Sequence, residues 1–274
     1  MLDTVIKAFV FLFGSVVGSF LNVCIYRMPL GESVVKPRSH CPYCKKTIPW
    51  YDNIPFISYA LLKGKCRFCK AKISPQYFIV EFLTAGSFLL LYNLYGFSYQ
   101  ALIYIVFICG LIVATFVDIA HRIIPDEISV GGIIVALLFS LLKPYIIPAH
   151  YSLLPIWDSL IGVLAGGGII YLTSFLFDLV YFKLLKKGPV DGETTSMGGG
   201  DVKLLAMIGA FLGWKAAILT FFLAPFFGAI IGIVNLIRKK EHTIPYGPFL
   251  SLAAVVCMFW TSQILLWLFP CFRR

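Results

Sequence analysis

Seven long apolar runs dominate this sequence, and they restrict the chain to a fold that lies in a membrane. The runs cover residues 5–26, 76–95, 102–117, 128–142, 156–182, 202–237 and 249–269. A helix needs about 20 apolar residues to cross the hydrocarbon of a bilayer. Only 13% of the residues are charged, whereas soluble proteins carry about 25%. The sequence therefore predicts an all-α polytopic membrane protein surrounded by membrane lipid.

The apolar run 202–237 is longer than one crossing requires and has a turn signal in its middle. If it crossed once, Asp201 and the basic residues 238–240 would lie on opposite sides. Two crossings joined near Gly213-Trp214-Lys215 keep both on one side, which gives about eight transmembrane helices. The first of these two helices rises only about 18 Å, against about 30 Å of hydrocarbon. The glycine loop before it must therefore dip into the membrane, where non-helical backbone needs protein or water around it.

Lysine and arginine are distributed unevenly among the segments that join these runs. With eight crossings, 18 of the 23 basic residues lie on the side of the loop 27–75, and five lie on the other side. Positively charged loops stay in the cytoplasm, so we predict a cytoplasmic loop and both termini outside. The net charge of +10 follows from this topology and does not indicate a nucleic-acid partner.

Three glycines bring a carboxylate to the start of an apolar helix at Gly198-Gly199-Gly200-Asp201. Glycine permits backbone angles and close approaches that other residues resist. An ionisable group at the boundary of a membrane is a functional candidate. The structural alternative is that Asp201 is an N-cap residue after a flexible loop, and this interpretation explains the motif equally well.

A second carboxylate, Asp118, follows the run 102–117 at the same predicted boundary as Asp201. Two carboxylates held close together share a proton, because two like charges at short range do not both ionise easily. One of them then activates water as a general base, while the protonated one polarises a scissile carbonyl. This is the chemistry of aspartyl proteolysis. The alternative is an interfacial ion pair between Asp118 and Arg122, one turn later.

Other acidic residues are also candidates for the second carboxylate of the pair. Asp178 and Glu81 lie near predicted cytoplasmic helix ends, whereas Asp158 falls on the outer side and is excluded. Asp126 and Glu127 follow a proline and are predicted to lie in the first turn of a helix.

The loop 27–75 contains two C-x-x-C pairs, Cys41 with Cys44 and Cys66 with Cys69. Paired motifs at this spacing predict a tetrahedral zinc site with four cysteine ligands. We expect the zinc to be structural, because a loop of this size with few large apolar side chains needs a crosslink. Thioredoxin-like redox chemistry is the alternative. It is disfavoured by the similarity of the two motifs and by the absence of a strand–helix–strand pattern around them.

These features predict that the chain is divided into three parts. Residues 1–26 form the first transmembrane helix, and residues 27–75 form a small zinc-stapled cytoplasmic loop domain between helices 1 and 2. Residues 76–274 form a membrane domain of seven helices.

Further short motifs accompany the cysteine pairs and the two aspartates along nearly the whole chain. They are Gly18-Ser19-Phe20-Leu21-Asn22-Val23, Asn53-Ile54-Pro55, Gly64-Lys65-Cys66-Arg67, Gly198-x-Gly200-Asp201 and Ile244-Pro245-Tyr246-Gly247-Pro248. In this order, the motifs resemble those of the type IV prepilin peptidases (leader peptidase/N-methyltransferases), which are bacterial GxGD aspartyl proteases. Tyr246 departs from the Phe that is common in that family.

The resemblance implies an enzyme of the bacterial inner membrane that acts on type IV prepilins or pseudopilins. Asp118 and Asp201 would cleave the short basic leader on the cytoplasmic side, with Gly198 and Gly200 in the loop of the active site. The new N-terminal residue would then be methylated, with S-adenosylmethionine as methyl donor.

The chain has no glycine-rich fingerprint of the dinucleotide-binding kind, so the resemblance alone suggests positions for the methyl-donor site. The loop domain 27–75 is the part that the resemblance associates with methyl transfer. The matched positions that it offers for this activity are Asn22, Arg27, Asn53 and Glu81.

Two functions of other classes use the same features. An ion-coupled transporter would use the acidic residues as a relay, but it should contain interrupted helices in matching halves of the chain. A membrane-anchored zinc scaffold without catalysis would not need either aspartate.

Overall fold

This computed structural model describes residues 1–146, 156–180, 198–237 and 245–268, and this part of the chain contains nine α-helices. They are α1 (Leu2–Arg27), α2 (Ile57–Leu61), α3 (Gln76–Tyr95), α4 (Tyr99–His121), α5 (Asp126–Ile146), α6 (Ile156–Asp178), α7 (Gly199–Leu212), α8 (Trp214–Ile237) and α9 (Gly247–Leu268). Six of these helices, α1, α3, α4, α6, α8 and α9, are long and apolar enough to cross a membrane. The predicted all-α polytopic membrane fold is confirmed.

The prediction of two helices in the run 202–237 is also confirmed. Helix α7 ends at Leu212 and α8 begins at Trp214. Gly213 between them has a φ of +85°, a value that glycine adopts without the strain that a side chain would bring.

The predicted number of eight crossings stays a prediction. Helix α7 has 14 residues and rises about 21 Å, less than the hydrocarbon thickness of about 30 Å. Neither α7 nor α5 is among the six helices that meet the criteria for a span. The predicted end of the run 156–182 and the basic residues 238–240 lie outside the described residues.

The chain divides into two compact units, Met1–Val117 and Asp118–Arg274. In the first unit, α1 and α3 lie side by side and antiparallel. A Cβ atom at Gly14 would lie 2.9 Å from the Cα of Ala85, and one at Gly18 would lie 2.7 Å from the Cα of Glu81. Real Cβ atoms essentially never come this close to another atom, so glycine allows the two backbones to touch. Small residues four positions apart favour such close packing of membrane helices.

In the second unit, α7 is the central helix and packs against α5, α6, α8 and α9. Every residue from Leu204 to Phe211 is buried. Gly162 of α6 and Gly209 of α7 lie backbone against backbone, and Gly166 lies against the carbonyl of Leu205. Helix α7 is therefore enclosed by its neighbours, which fix the position of its first turn. This turn contains Asp201.

Candidate active site and candidate metal centre

Asp201 is the third residue of α7, and Gly198 occupies the N-cap position. Gly198 is extended, with φ −67° and ψ 137°, and its carbonyl accepts a hydrogen bond from the N–H of Asp201 at 3.1 Å. The interpretation of Asp201 as an N-cap residue is therefore wrong, because the cap is Gly198. Its placement in the first helical turn is confirmed, and the carboxylate lies at the positive end of the helix dipole.

Asp118 lies three residues before the end of α4 and is only 6% exposed. Its Oδ2 accepts a hydrogen bond from the backbone N–H of Gly247, the first residue of α9, at 2.9 Å. Arg122 has a φ of +57° just beyond the end of α4, and its charge acts on the Asp118 carboxylate. The ion-pair interpretation is therefore incomplete, because Asp118 also receives a hydrogen bond from a distant part of the chain.

Gly247 is a residue of this site to which the sequence analysis gave no role. A Cβ atom at Gly247 would lie 2.7 Å from Oδ2 of Asp118, so any side chain would push the carboxylate or α9 away. Only glycine lets the N-terminus of α9 approach this closely, where its N–H groups and dipole favour a negative charge. Gly247 was part of a matched motif, but nothing in the sequence indicated which residue it contacts.

The segment after α4 is tied to the first turn of α7. A Cβ atom at Gly200 would lie 3.1 Å from the Cβ of Ile124, so glycine permits this approach as well. Lys203 donates from Nζ to both carboxylate oxygens of Asp126, at 2.6 and 2.9 Å. Asp126 and Glu127 are in the first turn of α5, as predicted.

These contacts bring the carboxylates of Asp118 and Asp201 within electrostatic reach of each other. Tyr246, the residue before α9, also interacts with the Asp201 carboxylate. Burial first, and then the charge of Asp201, raises the pKa of Tyr246 to about 12. The tyrosine hydroxyl therefore keeps its proton at neutral pH and is able to donate a hydrogen bond at this site. The arrangement is an acidic pair next to a neutral donor, at the ends of three helices.

The sulfur atoms of Cys41, Cys44, Cys66 and Cys69 form a separate cluster in the first unit. All four lie within 4.8 Å of one another, and the sulfurs of Cys41 and Cys69 are 3.8 Å apart. Four sulfurs at about 2.3 Å from a tetrahedral zinc ion are separated by about 3.8 Å. The cluster therefore fits a tetrahedral metal ion.

The two C-x-x-C motifs have the same backbone geometry. The N–H of Lys45 donates to the carbonyl of Cys41 at 2.9 Å, and the N–H of Lys70 donates to the carbonyl of Cys66 at 3.1 Å. Both lysines have a positive φ, 58° and 59°. The backbone N–H of Cys69 points at the sulfur of Cys66 and lowers the pKa of that thiol to about 7. This hydrogen bond favours the thiolate, which is the form that binds metals.

Two of the four positions suggested for methyl transfer, Asn22 and Arg27, lie near the end of α1, and a third, Asn53, lies in the loop. Asn22 donates from Nδ2 to the carbonyl of Tyr77 at 3.0 Å, which ties α1 to α3. Arg27 donates from Nη1 to the carbonyl of Ser33 at 2.9 Å, which fixes the start of the loop. Asn53 is exposed and ends a short 3₁₀ turn.

The fourth position, Glu81, is buried in α3. Its Oε2 accepts a hydrogen bond from the backbone N–H of Phe56 at 3.1 Å. The bonds of Asn22, Arg27 and Glu81 hold parts of the first unit together. We assign none of the four residues a step in methyl transfer.

Known proteins are similar to nearly the whole chain, and two family models match parts of it. The family described as Bacterial Peptidase A24 N-terminal domain matches residues 12–95, and the Type IV leader peptidase family matches residues 105–233. No solved structure matches the chain.

Several curated relatives are similar over most of their length. The chain is 32% identical to the prepilin leader peptidase/N-methyltransferase of Aeromonas salmonicida (strain A449), over 94% of this chain and 92% of that protein. It is 34% identical to the protein of the same name from Pseudomonas aeruginosa, over 92% and 90%. It is 33% identical to a type 4 prepilin-like proteins leader peptide-processing enzyme of Escherichia coli O78:H11, over 90% and 91%.

Proposed function

The chain belongs to the type IV leader peptidase family, and on this basis we propose that it cleaves the leaders of prepilins or pseudopilins and methylates the new N-terminus. It acts as a multi-pass enzyme of the bacterial inner membrane. The names of its relatives support this combination of two activities.

The observation that carries the proposal is the arrangement around the start of α9, where Gly247 donates to the Asp118 carboxylate and the preceding residue, Tyr246, interacts with the Asp201 carboxylate. In the proposed reaction the pair holds one proton. The ionised carboxylate takes a proton from water, and the protonated one donates to the scissile carbonyl as the water oxygen attacks its carbon. The proton taken from water then passes to the leaving nitrogen as the peptide bond breaks, and a hydroxyl of the tetrahedral intermediate returns a proton to the other carboxylate as the new carboxyl group forms. Both carboxylates return to the state in which they share one proton.

The residues around the pair fix its geometry. The N–H of Gly247 restrains the Asp118 carboxylate, and the close approach of Gly200 to Ile124 positions the first turn of α7. Gly198 starts that turn as its N-cap. A carboxylate pair that is already positioned loses little entropy when the substrate binds, which favours the reaction.

The location of the pair suits the proposed substrate. A prepilin is itself an apolar helix preceded by a short basic leader, so its cleavage site lies at a membrane boundary. Asp118 is near the end of a membrane-spanning helix, and Asp201 is in the first turn of α7. The excess of basic residues on the side of the loop 27–75 supports a cytoplasmic active site and termini on the outer side.

The four cysteines hold one zinc ion in this proposal, with a structural role. When bound, the zinc crosslinks two turns of the loop 27–75, a segment whose one α-helix has only five residues. S-adenosylmethionine, the methyl donor implied by the family, supplies a methyl group for the new N-terminal amine.

An assay with two readouts tests the proposal. Purified protein in detergent is incubated with a prepilin and labelled S-adenosylmethionine, and the product is analysed for mass and label. We expect the prepilin to lose the mass of its leader and the shortened product to gain the label. An intact prepilin would contradict the peptidase function and would favour a transporter or a scaffold. A shortened product without label would contradict the methyltransferase function alone.

A further inference from the structure

The middle of α1 lies inside the hydrocarbon of the membrane wherever the helix is placed along the bilayer normal. Helix α1 has 26 residues and is about 39 Å long, so only about 9 Å of it extends beyond a hydrocarbon layer of about 30 Å. Phe11 is about 13 Å from Leu2 and about 24 Å from Arg27 along the axis. Both distances exceed the part of the helix that projects from the layer.

Phe56 of the loop between α1 and α3 reaches this depth. Its ring stacks on that of Phe11 with the centroids 5.8 Å apart, and it meets the ring of Phe78 in α3 at 5.4 Å. Its φ of +60° is unusual for a residue with a side chain, and such a conformation persists only where contacts hold it. The loop therefore leaves the membrane surface and enters the bilayer at Phe56.

The backbone around Phe56 meets the requirement that a lipid environment imposes on polar groups. Inside hydrocarbon, backbone N–H groups need acceptors within the protein. The N–H of Phe56 donates to Glu81, and that of Ile54 donates to the hydroxyl of Ser58 at 3.2 Å. The N–H groups of Ile57, Ser58 and Ala60 donate to the carbonyls of Pro55, Ile54 and Phe56, respectively. The buried carboxylate of Glu81 thus accepts the backbone N–H of Phe56 at a depth where water does not.

The outward face of the same segment is apolar. Ile54, Ile57 and Leu61 are 38%, 54% and 77% exposed. Ile57 and Leu61 are four residues apart and share one side of α2, and Ile54 precedes this helix in extended backbone. The exposed residues Lys63 and Lys65 follow directly. An apolar face followed by lysines is the pattern of segments that lie at the boundary between acyl chains and head groups.

We infer that residues 54–62 form a re-entrant membrane segment whose side chains Ile54, Ile57 and Leu61 contact the acyl chains of phospholipids. The occupant of this face is the bilayer, because Phe56 of the segment contacts Phe78 of α3, whose ring stacks on that of the exposed Phe82, and α3 is a candidate membrane span. The segment anchors the loop that carries the cysteine cluster at a third point, besides α1 and α3. This inference does not depend on the proposed enzymatic activity.

Photocrosslinking of the full chain tests the inference. The photoreactive amino acid p-benzoylphenylalanine replaces Ile57 or Leu61, and the protein is reconstituted in vesicles of phosphatidylethanolamine and phosphatidylglycerol. We expect irradiated protein to gain the mass of one phospholipid. The same substitution at Phe82, which is 55% exposed on α3, is the positive control. At Tyr43, which is 73% exposed between Cys41 and Cys44, it is the control for a residue in water.

The controls make a negative result informative. Lipid adducts at Phe82 without adducts at Ile57 and Leu61 would overturn the inference, and so would crosslinks from these two positions to protein instead of lipid. An equal yield of lipid adducts at Tyr43 would also contradict it, because the lipid contact would then not be specific to the re-entrant segment. Each variant should elute in detergent at the same volume as the unmodified protein, which shows that the substitutions leave the fold intact.

Discussion

The cysteine cluster of the first unit and the aspartate pair of the second are built over different distances in the chain. The cluster uses two turns that start 25 positions apart, and each turn is closed by its own backbone hydrogen bonds. The aspartates are 83 positions apart, and they meet where the end of α4 lies against the starts of α7 and α9. Local geometry determines the first site and helix packing determines the second. Substitutions should therefore damage one without the other.

Removing either carboxylate should give the largest effect. We expect Asp118→Asn and Asp201→Asn each to lower the rate of leader cleavage by about 10²–10⁴-fold, the contribution of a general acid or base. Zinc content should not change, because the cluster lies in the other unit. The rates are measured with a prepilin in detergent, and Asp158→Asn in the first turn of α6 is the matched control. Cleavage by either dyad variant at the rate of this control would contradict the assignment.

Removing one cysteine should affect the loop alone. We expect Cys41→Ser to reduce the metal content from about one zinc per chain to none, because a tetrahedral site loses one of its four ligands. Trypsin should then cleave the loop 27–75 faster, while α7 stays protected. Elemental analysis of reduced protein measures the zinc, with Cys109→Ala in α4 as the control. Unchanged zinc content in Cys41→Ser would show that the cluster is not the metal site.

A methyl group at Gly247 tests whether helix packing determines the aspartate pair. Because the new Cβ atom would lie 2.7 Å from Oδ2 of Asp118, Gly247→Ala must shift the carboxylate or α9. A misplacement of about 1 Å costs about 10²-fold in rate, so we expect a loss of that size in kcat. Gly131→Ala in α5 is the control, since no atom lies within 4 Å of its new Cβ. Equal rates for the two variants would remove Gly247 from the site.

The smallest effect is expected at Tyr246. Its hydroxyl is neutral and close to Asp201, and a single hydrogen bond contributes about 0.5–1.5 kcal/mol. Tyr246→Phe should therefore lower leader cleavage by about twofold to tenfold and leave zinc content unchanged. A loss as large as that of Asp201→Asn would mean that Tyr246 takes part in the proton transfers, contrary to the pair proposed here.

Much of the fold follows from local patterns in the sequence. The apolar runs predict the membrane fold, and Gly213 marks the break between α7 and α8. The spacing of Cys41, Cys44, Cys66 and Cys69 predicts the cluster, because short turns place their residues by backbone geometry alone.

Other features depend on contacts between distant residues and are not visible in the sequence. Gly247 looks like part of a turn, and its contact with Asp118 appears only when α9 is placed. Glu81 resembles a functional acid, but the structure pairs it with the backbone of Phe56. The segment 54–62 is too short and too irregular for hydrophobic periodicity to identify it as a membrane segment.

A thiol-bridging experiment tests the meeting of the two aspartates most directly. Asp118→Cys and Asp201→Cys are combined in a chain whose Cys24, Cys109, Cys257 and Cys271 are replaced by Ala. A short bifunctional thiol reagent is then added to membranes that contain the protein. We predict that one reagent molecule bridges the two introduced thiols, which mass spectrometry of the linked peptides would show. If both thiols react singly and are never bridged, the two residues do not form one site.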